Sequence, residues 1–374
     1  MGNRVSLADR LVITKNRPAG FDYMRILLAT AIVAWHTFIT AQGDAAQYAV
    51  WNGPFRFIPG LTLPMFFALS GFLVAGSLER SKTLVSFLGL RVLRIMPALI
   101  VETVVSALII GPIFTALPLG QYYSNPQFHA YLLNIVGDVH FYLPGVFSHN
   151  PKPYVINGQL WTVPWELACY ATLAIIAFVG LAKTPLRVLA AFVVCQLVVG
   201  FYGLHHLRPA VSAVPGTSLV MCFLAGVIGY RWREKIVWSA PVAVIAALVT
   251  VACLVIPNAD RIIAIPVAYL TVYLGLLAPR RLPVIFSGDY SYGIFLYGFP
   301  IQQVMAALFP LAHTIWGNFL LAYPVVCTLA VASWWGVEKQ AFRLRPLLMV
   351  IEQRWLALRS TLIPARPAAA PTGD

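Results

Sequence analysis

Ten runs of about twenty largely apolar residues, distributed from residue 21 to residue 336, decide most of what this chain is able to become. A run of that length covers the hydrocarbon core of a bilayer as a helix. The runs fall at roughly 21–40, 61–78, 95–117, 160–182, 185–203, 215–231, 237–257, 262–278, 287–309 and 314–336. Junctions rich in charge or proline part them, among them "LERSKT", "LAKTPLR", "RWREK" and "APRRLP". Only 10% of the 374 residues are charged and 60% are hydrophobic, whereas soluble domains carry about 25% charged residues. An all-α polytopic membrane protein with about ten transmembrane helices is therefore expected. No hydrophilic stretch is long enough for a separate soluble domain, and residues 118–157, rich in Pro, Asn, Tyr and His, read as an ordered loop.

The lysines and arginines give an orientation. With a cytoplasmic N-terminus, 21 of the 26 fall on cytoplasmic segments and four (Arg56, Lys152, Arg208, Arg261) on outer loops, with Arg25 left inside the first run. The bias alternates correctly at every loop, so both termini are expected in the cytoplasm. That divides the chain into a cytoplasmic N-terminal segment (1–20), a ten-helix membrane domain (21–338) and a basic, partly disordered cytoplasmic tail (339–374) ending in the Pro/Ala-rich "IPARPAAAPTGD". The net charge of +13 is then mostly this inner-face bias. It suits anionic membrane lipids or an anionic cytoplasmic cofactor and calls for no nucleic acid.

No cleavable signal is expected, because charged residues run to Arg17 without a short apolar core and small-residue cleavage site behind them. Met1-Gly2 with Ser6 fits the loose myristoylation pattern, an anchor that an integral membrane protein does not need. Cys169, Cys195, Cys222, Cys253 and Cys327 lie in apolar stretches, are odd in number and form no CxxC pair. They read as small buried residues rather than disulfides or metal ligands.

A charged side chain near the middle of a span costs about 2.5–3.5 kcal/mol and usually faces a cavity or a partner. The first run, "FDYMRILLATAIVAWHTFIT", carries Arg25 and His36 eleven residues apart. Eleven helical residues turn about 20° past three full turns, so both side chains project from one face, about 16 Å apart along the axis. Asp22 stands three residues before Arg25 and suits an N-cap or an ion-pair partner. The plainer reading is a snorkelling arginine at one interface and a packing histidine at the other. In "PMFFALSGFLVAGSLER", Ser70 and Gly71 make a notch for close helix approach, with no GxSxG elbow. In "LRVLRIMPAL", Arg91 and Arg94 share a face, either as an inner-face anchor or as a phosphate clamp. In "NGQLWTVPWELACY", Glu166 enters an apolar run beside Trp161, Trp165 and Tyr170. Such a carboxylate orients an imidazole, fixes a sugar hydroxyl or pairs with an arginine. "SGDYSYGIFLYGFP" brings Asp289, Ser291 and Tyr292, whose small and hydroxyl neighbours suit close packing. Glu102 lies near or within a span, and Glu338 is expected to pair locally with Lys339.

Together these stretches resemble the membrane acyltransferase-3 family, O-acyltransferases that modify sugars of surface and secreted glycans. Asp22, Arg25 and His36 resemble its D-x-x-R-x10-H signature, and "FFALSGFL" is similar to its second-helix F-F-x-L-S-G-F-L motif. "RVLRIMP" resembles R-x-x-R-I-x-P, "QLWTVPWELACY" resembles L-W-[ST]-x-x-x-E-x-x-x-Y, "YSYGIFLYGFPI" resembles S-Y-x-x-Y-L-x-H-x-P-I, and "GVEKQAF" resembles a terminal E-K-P-F. Six matches fall in order over roughly residues 20–343. Two departures stand out: Gly298 occupies the place of a second histidine, and Gln340 that of a proline. No esterase-like domain is expected after the tenth span.

The resemblance implies transfer of an acyl group, acetyl by preference, from cytoplasmic acyl-CoA to a hydroxyl of an extracytoplasmic or lipid-linked glycan, in a bacterial inner membrane. It implies no permanently bound cofactor and no metal. His36, with an ordinary pKa of about 6.5, is the expected general base or covalent acyl carrier. Glu166 and Arg25 complete the expected catalytic set, Glu166 holding the imidazole or the acceptor and Arg25 adding charge at the inner half, with Arg91 and Arg94 at the acyl-CoA and Asp22, Ser70, Trp161, Tyr170, Ser291 and Tyr292 in support. A transporter or flippase of a lipid-linked glycan accommodates ten spans and buried charges equally well, although no internal repeat of the kind many transporters carry is visible. A scaffolding subunit leaves Arg25, His36 and Glu166 without a reason.

Overall fold

A computed structural model describes residues 5–205 and 214–362. Arg208 and the Pro/Ala-rich C-terminal stretch, with the disorder expected of it, lie outside the described residues. A helix stands at each of the ten expected places, and among the described residues there are no strands, only three isolated bridges.

The helices are α1 (Leu7–Ile13), α2 (Ala19–Asn52), α3 (Phe57–Arg80), α4 (Leu84–Val105), α5 (Val163–Phe178), α6 (Pro185–His205), α7 (Gly216–Arg231), α8 (Ala240–Val255), α9 (Ala264–Gly275), α10 (Ser291–Leu308), α11 (Ile315–Ser333) and α12 (Arg345–Leu362). Helix α4 continues through a π turn, Ser106–Ile110, into Gly111–Phe114, and α5 is entered through a 3-10 turn, Gly158–Thr162. Helix α2 breaks at Gly43, whose φ of 77° is left-handed and whose Cα lies against the carbonyl of Pro151. The span expected at 21–40 therefore ends just before a real break. The third span begins earlier than expected, at Leu84 rather than 95, which puts Arg91 and Arg94 inside α4. The first part of the expected tail is helical: α11 runs on through a π turn, Trp334–Glu338, and α12 follows.

Among the described residues, five helical stretches are long and apolar enough to cross a membrane: Ala19–Asn52, Phe57–Arg80, Leu84–Phe114, Gly158–Phe178 and Ile315–Arg354. Four others are apolar but shorter, Pro185–Phe201, Gly216–Arg231, Ala240–Val255 and Ala264–Gly275. Sixteen helical residues reach only about 24 Å. Helix α7 has little need of lipid, because α3, α5, α6 and α9 enclose it and most of its residues from Gly216 to Ile228 are buried.

The basic junctions converge at one end of the bundle. Leu7 N–H bonds Ile236 O and Arg10 bonds Leu276 O; Arg233 pairs with Glu79, and Arg281 reaches the carbonyl of Arg17. Arg231 bonds Lys183 O, and Glu352 of α12 takes the Thr83 hydroxyl. The other end holds residues 118–157, which carry a small core of their own around Tyr122, Tyr131, Phe147 and Ile156. Asn150 and Gln303, with Lys152 on Asp44, tie that loop to α10 and to the chain beyond Gly43.

The Ser70–Gly71 notch is the closest helix crossing. A Cβ on Gly71 would stand 1.9 Å from the Phe223 carbonyl oxygen, and one on Gly226 2.1 Å from that of Ala68. Helices α3 and α7 touch backbone to backbone there, as small residues allow. Gly71→Ala is expected to lower stability by about 1–3 kcal/mol or more, read as the melting temperature of detergent-purified protein. Gly120→Ala, where the new methyl meets nothing within 4 Å, serves as control and is expected to leave the melting temperature unmoved.

Candidate active site

The site is built on the face of α2 that carries Arg25 and His36, and its two ends differ in chemistry. At the Arg25 end, charges from four elements interlock. Arg25 Nη1 donates to Asp289 Oδ2 at 3.1 Å, and Arg94 Nη2 donates to the same oxygen at 2.7 Å. Arg94 Nη1 donates to Glu338 Oε2 at 2.7 Å. Ser291 supplies its hydroxyl to Asp289, and Ser333 supplies its own to Glu338. Tyr292 lays its ring near the Arg94 guanidinium, 5.6 Å away, and donates to Ile95 O. Glu338 is 1% exposed, whereas Arg25, Arg94 and Asp289 keep 20–29% of their side-chain surface open to a cavity.

Three expectations change here. Arg25 takes Asp289 as its carboxylate, not Asp22; α2 starts at Ala19 with Pro18 as N-cap, so Asp22 stands inside the first turn. Glu338 pairs with Arg94 rather than Lys339, whose ammonium lies over the Trp335 ring. Arg94 has both terminal nitrogens committed to carboxylates, which leaves it little to offer a phosphate. Arg91 differs: it donates to Ser77, its buried Nε is unpartnered, and no carboxylate among the described residues pairs with it.

Three cavities follow one another along α2. A vestibule of about 950 Å³ opens at the basic end, with seven arginines against two aspartates in its wall. Arg17, Arg80, Arg281 and Arg345 stand around it, and Arg25, Arg91 and Arg94 form its floor. That floor is shared with a second cavity of about 90 Å³, which adds Ser70, Glu166, Tyr170, Ser291 and Tyr292. Ile32, Leu63, Thr162 and Phe295 are shared in turn with a third cavity of about 70 Å³. The third holds His36, Trp35, Trp51, Trp161, Gln47 and Gln159.

Glu166 thus belongs with the arginines and not with the imidazole; it accepts the Tyr170 hydroxyl at 2.5 Å. The reading in which it orients His36 is not what the structure brings together. The His36 ring stands edge-on to Phe299 with centroids 5.3 Å apart, and among the described residues no side chain hydrogen-bonds its nitrogens. At the position of the absent second histidine, a Cβ on Gly298 would lie 2.7 Å from Val33 Cγ2 on α2. The chain has no room for a side chain there.

Sequence reasoning left Gln159, Gln47, Trp35 and Trp51 unassigned, although Gln159 stands beside the "LW" of a quoted motif. An amide buried in an apolar run was the available signal.

The acyltransferase domain family matches residues 19–338. An "O-acetyl transferase" of Shigella phage Sf6 is 24% identical over 346 residues, covering 86% of this chain and 95% of that protein. "Nodulation protein 10" of Rhizobium leguminosarum bv. viciae is 27% identical over 354 residues, covering 88% and 94%. No solved structure gives a significant match.

The ion-pair lattice generates a stability prediction. Opening a buried pair costs about 3–5 kcal/mol, and partial exposure to a wet vestibule reduces that. Asp289→Ala is expected to destabilise by about 1–3 kcal/mol. A double-mutant cycle of Asp289→Ala with Arg94→Met is expected to be non-additive by about 1 kcal/mol or more. Additive melting shifts would mean that the two groups are energetically independent.

Proposed function

Since the chain belongs to the acyltransferase family matched over residues 19–338, we propose that this integral membrane O-acyltransferase moves an acetyl group from cytoplasmic acetyl-CoA to a glycan hydroxyl. The observation that carries this reading is the row of cavities leading from an arginine-walled vestibule to the aromatic-walled chamber of His36. Acetyl-CoA is anionic, and the vestibule is where positive charge collects. The chamber offers Trp35, Trp51 and Trp161 with the amides of Gln47 and Gln159, flat apolar faces and hydrogen-bonding groups of the kind a sugar fits. The phage relative's name adds O-acetyl transfer as the reaction type.

In this reading the helices span a bacterial inner membrane ten times with both termini inside. The convergence of the basic junctions at the vestibule end supports it. Residues 21–338 form the catalytic membrane domain, with 1–20 and 339–374 as cytoplasmic flanks.

Arg91 and Arg25 hold the phosphates of the donor, and Arg94 keeps Asp289 in place to orient Arg25. Arg25 and His36 stand about 16 Å apart on one helix, so Arg25 serves the donor's charged end and not the reacting carbonyl. The thioester arm extends through the middle cavity past Ser70, Glu166 and Tyr170. His36 takes the proton of the acceptor hydroxyl as its oxygen attacks the acetyl carbon. The C–O ester bond forms, the C–S bond breaks, and His36 returns the proton to the departing sulfur. A flippase reading explains the cavities but is not favoured by a family whose reaction is covalent.

The test uses membranes carrying the protein, [14C]acetyl-CoA and the membrane glycan fraction. Label is expected in the glycan, and mass spectrometry of that product names the hydroxyl and distinguishes acetyl from succinyl. His36→Ala is expected to lower transfer by about 10²–10⁴-fold. Unlabelled glycan with wild-type protein would point to transport, and full activity in both His36→Ala and Arg25→Ala would remove the site assignment. Arg91→Ala is expected to raise the half-saturating acetyl-CoA concentration about tenfold. Raising ionic strength is expected to raise it for the wild type, because the exposed rim charges are screened.

A further inference from the structure

A chain of buried polar side chains runs from α4 to the wall of the His36 chamber and leaves two oxygens unpaired, Glu102 Oε2 at its start and Gln159 Oε1 at its end. Glu102 of α4 is 1% exposed. Its Oε1 accepts from Ser106 at 2.5 Å and from the side-chain nitrogen of Asn157. Asn157, itself 0% exposed, donates from the same nitrogen to the Tyr131 hydroxyl at 3.1 Å. Its Oδ1 then has to accept, and it does so from Gln159 Nε2 at 2.6 Å. Gln159 Nε2 also donates to Leu296 O at 2.7 Å, so both amide protons are committed. Leu296 O, a backbone carbonyl that only accepts, fixes which end of the Gln159 amide is its nitrogen, and that nitrogen in turn takes the oxygen of Asn157. At the chamber end the atom left over is Gln159 Oε1, buried and without a partner. Gln159 lines the cavity that holds His36, and its 3-10 turn is held tightly there, with Gly158 packed on Phe299 and Phe299 on the imidazole.

A buried carbonyl oxygen with no donor is costly, and such exceptions in native structures call for a reason. We propose that Gln159 is an acceptor-positioning residue, whose Oε1 takes a hydrogen bond from a glycan hydroxyl neighbouring the one His36 deprotonates. Glu102 braces that amide through Asn157. The lone acceptor makes the chamber selective for a sugar carrying a free hydroxyl next to the acylated one, because a neighbour lacking the proton leaves Oε1 unpaired. This rests on the acyl-transfer reading above and adds to it a residue pair outside the quoted motif positions.

The experiment titrates a membrane glycan extract, taken from cells that lack the protein, against purified full-length enzyme and [14C]acetyl-CoA. Gln159→Leu is expected to raise the half-saturating amount of extract about tenfold or more while half-saturation by acetyl-CoA moves less than about twofold. Glu102→Leu is expected to move the same parameter in the same direction, and the double variant to add little to Gln159→Leu alone. Glu102→Gln, which keeps an oxygen for Asn157, is expected to recover most of what Glu102→Leu loses. Gln159→Asn, one methylene short of the chamber, is the second probe if the leucine variant does not fold. Wild-type transfer with unmoved glycan saturation in the Gln159 variants overturns this proposal alone. Equal shifts for glycan and acetyl-CoA mean a merely structural role and overturn it as well. No wild-type transfer overturns the acyl-transfer reading, and this proposal falls with it.

Discussion

Asp289 sits between Arg25 and Arg94, and that shared carboxylate is the interaction on which the geometry of the bundle turns. Arginine inside an apolar bundle stays charged and loses its water, so it needs a fixed anion. One oxygen of Asp289 serves two guanidinium groups, and Glu338 takes the free arm of Arg94. The four partners come from α2, α4, the turn before α10 and the end of α11. Each helix is therefore held in rotation as well as in position, because a guanidinium fork accepts its carboxylate in few orientations. Apolar packing alone would leave these helices free to slide and turn against one another; the lattice specifies one arrangement.

That arrangement sorts chemistry along α2. The arginine end faces the vestibule, and the imidazole end faces tryptophans and amides, with about three helical turns between them. The middle cavity is walled largely by Ile32, Leu63, Phe66, Leu73 and Phe295. The same cavity also carries the three floor arginines with Glu166 and Tyr170, so polar groups reach from the vestibule into the middle of the row. The amide chain from Glu102 to Gln159 approaches the far end from α4, about two helical turns beyond Arg94, and from the 118–157 loop. The arginine lattice and the amide chain thus share α4, through Arg94 and Glu102, and α10, through Ser291 and Leu296.

The sequence disclosed what depends on local period and on transfer free energy. Hydropathy located a helix at each of ten places, the eleven-residue spacing placed Arg25 and His36 on one face, and Ser70–Gly71 marked the close crossing of α3 and α7. It did not disclose pairing. Asp22 and Lys339 are near their expected partners in the chain, yet the partners chosen lie 264 and 244 residues away. No periodicity encodes which carboxylate reaches which arginine. Glu166 was close enough in motif logic to serve His36, but α5 brings it to the arginine floor. Gln159 escaped notice because a neutral amide barely disturbs hydropathy; only its committed protons and orphaned oxygen mark it.

Gly298 sharpens the proposed chemistry. A second imidazole would let one histidine deprotonate the sugar and another protonate the leaving group. Here Val33 fills that space, and His36 has no hydrogen-bonding side chain at its ring among the described residues. A single base suffices when the leaving group is a thiolate, because a thiol with an ordinary pKa of about 8.5 departs far more readily than a sugar alkoxide. In the proposed reaction the demanding proton transfer is then the first one, out of the hydroxyl, and it is assigned to His36, whose imidazole lines the chamber. Holding the acceptor sugar in register for that transfer is correspondingly important. With no carboxylate among the described residues bonded to His36, the burden passes to the walls of the chamber, the Phe299 edge against the ring and the fixed amide of Gln159 among them.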